Sequence, residues 1–375
     1  MFRVLNSQAD LFDFVTEPIF KRIHDPELDR IKEMKLNQAI VRYGKDKGIT
    51  RGRKMRTDTT VVEGNIHRPS DSHLLMDGIR KLGKLAGRVK RLGLLRGEKV
   101  RDFSRSAKKQ VLSIVKYAIK RTEETEASSR KAYENLVAIT KRALSYAKEV
   151  ETRVLEKVKT IRCSRRKKVV RLLSQYKMFM PRIQEVINQT VRRVFCGEKV
   201  PNEDKRISLF ESHLYPVKRG KRTKPVEFGQ VIQVQESEGG LLTDWEVFRS
   251  KPSDSELFIS AIERHQVLFG RVPNWGAGDR GFWSQANEDK AKSMGVQKIC
   301  IPKRGKKNAE RTSFEKSRWF KMGMRFRTGC EATISVLKRR HGLDRCHDRG
   351  QEGMDSWIAL GCISRNLLNI AHSIP

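Results

Sequence analysis

The stretch KMRTDTTVVEG, residues 54–64, decides the fold. Thr57, Thr59, Thr60, Val61 and Val62 are β-branched, stiff at χ1 and suited to a pleated surface, so a buried strand is predicted around Asp58. An acid inside such a strand needs a reason, because a buried carboxylate is costly unless it is paired or holds a metal. Upstream, Leu28, Ile31, Leu36, Ile40 and Val41 recur near helical spacing, which predicts a helical segment over residues 1–50. Downstream, Pro69-Ser70-Asp71-Ser72 reads as a turn offering N-caps to a helix from about His73, with Asp71 read as a cap.

From about residue 73 to 198 the apolar period is that of helices: Val111, Ile114, Val115, Ala118 and Ile119, then Leu136, Ile139, Ala143, Ala147 and Val150, then Ile183, Val186, Ile187 and Val191. After a basic loop from Pro216 to Pro225 the period becomes two. Phe228, Ile232 and Val234 share one face of a strand, Gly239-Gly240 turns the chain, and Leu241, Thr243, Trp245 and Val247 return as the partner of a hairpin. A helix over about 255–269, a strand at RVPNWGAGD, a helix over about 284–294, a strand at VQKICIP and a long helical region from about Phe314 complete the order. A hairpin followed by βα units predicts an α/β fold with one mixed sheet covered by helices. The expected domains are a helical segment 1–50, a first catalytic-domain part 51–72, a basic helical insertion 73–215 and the remainder 216–375.

The 375 residues include 79 Lys+Arg against 44 Asp+Glu, a net charge of +35. Residues 88–109 hold nine basic side chains against two acidic, and residues 157–171 hold eight against none. A surplus this one-sided points to a polyphosphate partner, with double-stranded DNA the foremost. No run approaches the roughly 18 apolar residues of a membrane span, and the N-terminus has no secretory pattern, so a cytoplasmic, nucleoid-associated protein is expected. Six scattered cysteines without a CxxC pair give neither a zinc framework nor a disulfide framework.

Three acids lie where the predicted elements bury them: Asp58, Asp279 just beyond the strand entering Gly276-Ala277-Gly278, and Glu331 in the helix CEATISVLKRR. A mixed sheet can set the first two side by side, and a helix across it can bring the third. Like charges so gathered raise one another's pKa, and hard divalent cations relieve that. Two Mg²⁺ about 3.5–4 Å apart would clamp the attacking and leaving oxygens of a phosphoryl displacement. Read singly, Asp58 and Asp279 are structural caps and Glu331 pairs with Arg327 along its helix.

The runs RTDTTVVEGNIHRPSDSHLLMDG, PVEFGQVIQVQESEGGLLTDWEVF, GAGDRGFWSQANE, RFRTGCEATISVLKRRHGLDRC and WIALGCISRNLLNIAH resemble bacterial insertion-sequence DDE transposases of the insertion-sequence five group, over roughly residues 35–375. The resemblance implies a ribonuclease H-like fold with the helical block inserted between its first and second strands. It implies a DDE triad at Asp58, Asp279 and Glu331, with 51 residues between the last two, as catalytic residues and metal ligands for two Mg²⁺, with Mn²⁺ able to substitute. It implies binding of terminal inverted repeats, hydrolysis at the element's ends, and strand transfer by a 3′-OH into target DNA, by a homodimer or higher oligomer. Of the tyrosine, arginine, glutamate and lysine signature on the third-acid helix, Arg327, Glu331 and Lys338 match, while Met324 stands at the tyrosine position. Arg327 and Lys338 are then phosphate contacts, as are Arg280, Lys303 and Arg304 in the basic loops. Segment 1–50 becomes a DNA-binding or dimerisation arm.

Gly276-Ala277-Gly278-Asp279-Arg280-Gly281 also fits a dinucleotide-binding GxGxxG. The strand that follows ends in Lys303-Arg304 rather than a ribose-binding acid, and Asp279 would repel pyrophosphate, which argues against an oxidoreductase. A non-catalytic basic DNA-binding or architectural protein shares the charge argument and differs in never cutting. Trp283, Trp319, Phe320 and Phe326 flank the acids and read as core before base-stacking surfaces.

Overall fold

The computed structural model describes residues 26–95, 97, 99–119, 122–158, 163–219 and 224–374. Residues 1–25 of the predicted N-terminal segment, residues 96, 98 and 159–162 of the two basic runs, and loop residues 220–223 lie outside the described residues. The chain divides into two compact units: residues 66–216, and the described residues up to Asn65 together with those from Val217 onward.

The second of these contains the sheet. Its elements are α1 (Pro26–Asp46), β1 (Lys54–Gly64), β2 (Tyr215–Lys218) at the boundary, β3 (Val226–Ser237), β4 (Leu242–Val247), α6 (Leu257–Phe269), β5 (Trp275–Ala277), α7 (Gln285–Ser293), β6 (Lys298–Cys300), α8 (Ala309–Lys316), α9 (Arg318–Arg340), β7 (Arg345–Cys346) and α10 (Gly350–Ser373). The strand order is β2-β3-β1-β5-β6, with β4 also on β3 and β7 also on β1. β1 runs antiparallel to β3 and parallel to β5 and β7, so the sheet is mixed.

The β-branched run explains the centre. From Thr57 to Gly64 every residue of β1 is buried, the continuous pattern of a strand covered on both faces. On one face Met55 joins Leu257, Phe258 and Ile262 of α6 in a core that Phe282, Val296 and Ile299 complete. On the other lies α9, which packs on β1, β5 and β6. Gly329 permits the closest approach, since a Cβ there would fall on the Arg56 guanidinium. The β3–β4 hairpin turns at Glu238–Gly240, where Gly239 takes φ 81°, a conformation that favours glycine. Ser284 and Ser317 cap α7 and α9 by accepting from Asn287 N and Phe320 N. A buried Asn37–Asn366 pair, both bonded to Leu242 O, ties α1 and α10 to β4.

The helical unit is built from α2 (Asp71–Arg91), α3 (Ser104–Ile119), α4 (Glu123–Val158) and α5 (Cys163–Thr190), which a short π-helical turn, Val191–Phe195, extends. α2 and α4 each pack on α3, on α5 and on one another, around Leu75, Leu85, Leu136, Tyr176 and Ile183. The predicted cap is corrected. α2 begins at Asp71, not His73, and Ser70 caps it by accepting from His73 N. Asp71 is buried and accepts instead from Gln189 (2.6 Å) and Arg193 (2.7 Å), because two adjacent cap-type residues compete and the side chain facing α5 finds partners there. Among the described residues no helix is long and apolar enough to cross a membrane.

Candidate active site

β1 and β5 pair in parallel with Arg56 opposite Ala277. Two residues further along each chain come Asp58 and Asp279, so the strand register itself brings these two acids to the same end of the sheet. Asp58 is buried and its Oδ1 accepts from Thr59 N at 2.8 Å. Asp279 is half-buried at the head of a 3-10 turn, Arg280–Phe282, and its Oδ1 accepts from Gly281 N at 2.7 Å.

Burial and then the charge of Asp279 push the Asp58 carboxyl up to about 6; the Thr59 N–H, Arg327 and Arg219 pull against them. A further carboxylate stands on the opposite face of β1. Asp254 accepts from Thr59 Oγ1 at 3.3 Å, and a Cβ on Gly281 would lie 2.8 Å from its Oδ2 and 3.0 Å from Asp279 Oδ1. Burial and then Asp279 raise the pKa of Asp254 as well. Arg219, whose Nη2 donates to Thr59 O at 3.0 Å, supplies counter-charge to both Asp58 and Asp254. Sequence analysis singled out neither Asp254, which lies within PSDSE just before a predicted helix, nor Arg219, one of several cations in a basic loop.

Glu331 does not join the two strand acids directly. It is more than half exposed and accepts from Arg327 Nη2 one turn earlier on α9, while Arg327 Nη1 lies 3.5 Å from Asp58 Oδ2. Arg327 therefore links the first and third predicted acids, and its Nε is buried without a partner. The helix that carries it is fixed by a network the sequence analysis passed over. Arg56 Nε donates to the wholly buried Glu236 of β3 at 2.6 Å, Arg56 Nη1 to Phe326 O at 2.6 Å, and Thr333 Oγ1 to Glu236 at 2.6 Å.

Lys338 braces the same helix on β1 through Nζ to Val61 O at 2.8 Å. Arg280 and Arg304 are exposed, and Lys303 lies over the Trp283 ring, 5.5 Å from its centroid. Phe326 lies under Arg56, and Trp319, Phe314 and Phe320 stack edge to face, so the aromatics that flank the acids make contacts within the protein. An open groove of about 510 Å³ follows α9 past Phe320, Lys321, Met324, Arg325, Arg327 and Thr328.

Residues 287–371 match the family model of a transposase DDE domain. That span contains Arg327, Glu331 and Lys338; Asp58 and Asp279 precede it. Neither a curated protein nor a solved structure matches the chain. The match supports a DDE transposase, a family that uses divalent metal ions.

The acids gathered here can be tested against such an ion. Among the described residues no three His, Cys, Asp or Glu side chains gather as a metal-holding group. Mg²⁺ asks for less, since it keeps several waters and binds through one or two carboxylates together with substrate phosphates. Asp58 and Asp279 meet that demand as hard oxygen donors, with Arg327 and Arg219 offsetting part of the charge at Asp58.

The raised Asp58 carboxyl has a measurable consequence in metal-free protein. Its folded pKa lies above the ordinary 3.8, so the folded state binds the proton more tightly than the unfolded chain. The resulting stability is fully present below pH 3.8 and lost as pH rises through about 6. The span corresponds to at most about 3 kcal/mol. Urea unfolding in EDTA should show Asp58→Asn gaining on wild type as pH rises from 4 to 7; a difference flat in pH would refute the assignment.

Proposed function

We propose that the protein is a DDE transposase of the insertion-sequence five type, with a ribonuclease H-like catalytic unit, that binds the terminal inverted repeats of its element, cuts DNA there and joins the freed 3′-OH to target DNA. The meeting of Asp58 and Asp279 at the end of two parallel strands, with Asp58 joined through Arg327 to Glu331 of the matched domain, carries this reading. Asp58, Asp279 and Glu331 are the acids that would hold Mg²⁺, with Mn²⁺ as a substitute. Such ions polarise the phosphoryl group and activate the attacking oxygen.

The protein's own residues supply position and charge. Arg327 already spans two of the acids, and its guanidinium would exchange one of them for a phosphodiester oxygen. Arg280 and Arg304 are free at the surface to meet backbone phosphates, while Lys303 and Lys338 would have to exchange Trp283 and Val61 O for them. The chain works as a homodimer or higher oligomer, which lets one assembly hold both element ends.

The test is a supercoiled plasmid carrying the gene with its native flanks, incubated with the protein in Mg²⁺, Mn²⁺ or EDTA, with break positions mapped. Metal-dependent breaks at two inverted sequences flanking the gene, leaving 3′-OH ends, are expected. DNA bound but unbroken in both metals would overturn the transposase reading in favour of a non-catalytic DNA-binding protein.

A further inference from the structure

α3 is attached to the helical unit by a narrow seam. Of its residues only Ala107, Val111 and Ile114 are buried, where α2 and α4 pack on it. The opposite face is unusual in two respects at once. It carries Arg105, Lys108, Lys109 and Lys116, and residues 104–119 include no acid. It also exposes Leu112 (59%), Val115 (44%) and Ile119 (78%). At about 100° per residue, these seven side chains fall within about 120° of the helix circumference, with Leu112 near the middle. A shallow groove of about 410 Å³ follows Arg105, Lys108, Lys109, Leu112, Ser113 and Lys116.

A merely solvated face would not need three exposed aliphatic residues. A second copy of this face would set cations against cations. Around the helix Lys108 falls between Val115 and Ile119, within the apolar side that a helix lying on a lipid surface keeps free of charge, while Arg105, Lys109 and Lys116 gather beyond Leu112. An apolar side flanked by cations suits the major groove of a duplex, which is wide enough for a helix, is walled by phosphates and presents thymine methyl groups on its floor.

We propose that the outer face of α3 reads DNA sequence: it lies in the major groove, with Arg105, Lys108, Lys109 and Lys116 on the phosphates and Leu112, Val115 and Ile119 against base edges. This rests on the reading of the chain as a DNA transposase and names the element that would recognise its ends.

The full chain is tested in EDTA, where cutting plays no part, against a pool of short duplexes with a randomised core. Wild type should select a consensus and bind it at least about a hundredfold more tightly than the unselected pool. Leu112→Ala with Val115→Ala, both at exposed positions, should keep affinity for the unselected pool within about twofold and lose about tenfold or more for the consensus. Lys108→Gln with Lys109→Gln and Lys116→Gln should weaken binding to both, and the slope of log affinity on log salt should fall by about 2–3.

The inference is overturned if the apolar variant selects the same consensus with wild-type affinity, or if the charge variant keeps the wild-type salt slope. It is equally overturned if the apolar variant loses binding only to phosphatidylserine vesicles. A chain that selects a consensus but never cuts would refute the transposase reading and leave α3 standing; one that cuts at element ends with α3 altered would do the reverse.

Discussion

Asp279→Asn is expected to abolish strand cleavage while leaving duplex affinity unchanged. The substitution removes one of the two strand carboxylates and no cation. Its fold cost is small, because the bond from Gly281 N at the head of the Arg280–Phe282 turn needs only an acceptor at Oδ1, which asparagine keeps. On the proposed reading what is lost is a ligand for an ion whose charge stabilisation is worth several kcal/mol, and about 4 kcal/mol is roughly a thousandfold in rate. Losing the Asp279 charge also relieves the Asp58 carboxyl of one of the two influences that raise it. Cleavage rate in Mg²⁺ and anisotropy of a labelled duplex, measured on the same preparation, should therefore separate. Cleavage within tenfold of wild type would exclude Asp279 from the metal site.

Arg56→Leu should cost about 3–5 kcal/mol of stability, the usual result of stranding one partner of a buried ion pair. Glu236 is wholly buried, and Arg56 is its cation at 2.6 Å. Arg56 also holds Phe326 O and lies over the Phe326 ring, so the loss frees α9 from the sheet at the turn bearing Arg327. The double variant Arg56→Leu with Glu236→Leu should recover much of the loss, since a well-packed apolar pair often replaces a buried ion pair at little cost. Urea denaturation of both variants tests this. A single variant within about 1 kcal/mol of wild type, in the range of an exposed pair, would show that the pair is not a structural clamp.

What could be read from the sequence followed local chemistry. The β-branched run around Asp58 announced a covered strand, the Gly239-Gly240 pair announced the hairpin, and Ser284 announced α7; each signal lies within a few residues of its effect. Tertiary partners were not so legible. Glu236 met the same criterion as Asp58, an acid inside a buried strand, yet was passed over because its partner Arg56 is 180 residues away in the chain. Asp254 has the neighbours of a helix cap, and only its approach to Thr59 and Gly281 in the folded chain reveals it beside Asp279. For Asp71, sequence could not decide between two adjacent capping residues, and Gln189 and Arg193 decided it. The pairing of Glu331 with Arg327 was foreseeable from their i, i+4 spacing; the reach of Arg327 to Asp58 was not.

The separation in sequence that hid these partners also sets an order of events during synthesis. Asp58 and Arg327 are 269 residues apart, and the hydrogen bond from Thr57 to Val234 spans 177. At roughly 5–20 residues per second the ribosome needs roughly 10–50 s to travel from the first to the second member of the longer pair. Helices α2 to α5 are made and can collapse on one another during that wait, because they form one compact unit within residues 66–216. β1 cannot pair until β3 emerges, so a strand rich in threonine and valine stands as an open edge, which is the interval in which chaperones would be needed. The delay also keeps the nascent chain harmless. Asp58 and Glu331 are not assembled around Arg327 until most of the protein exists, so on the proposed reading an unfinished chain has no complete site with which to cut DNA.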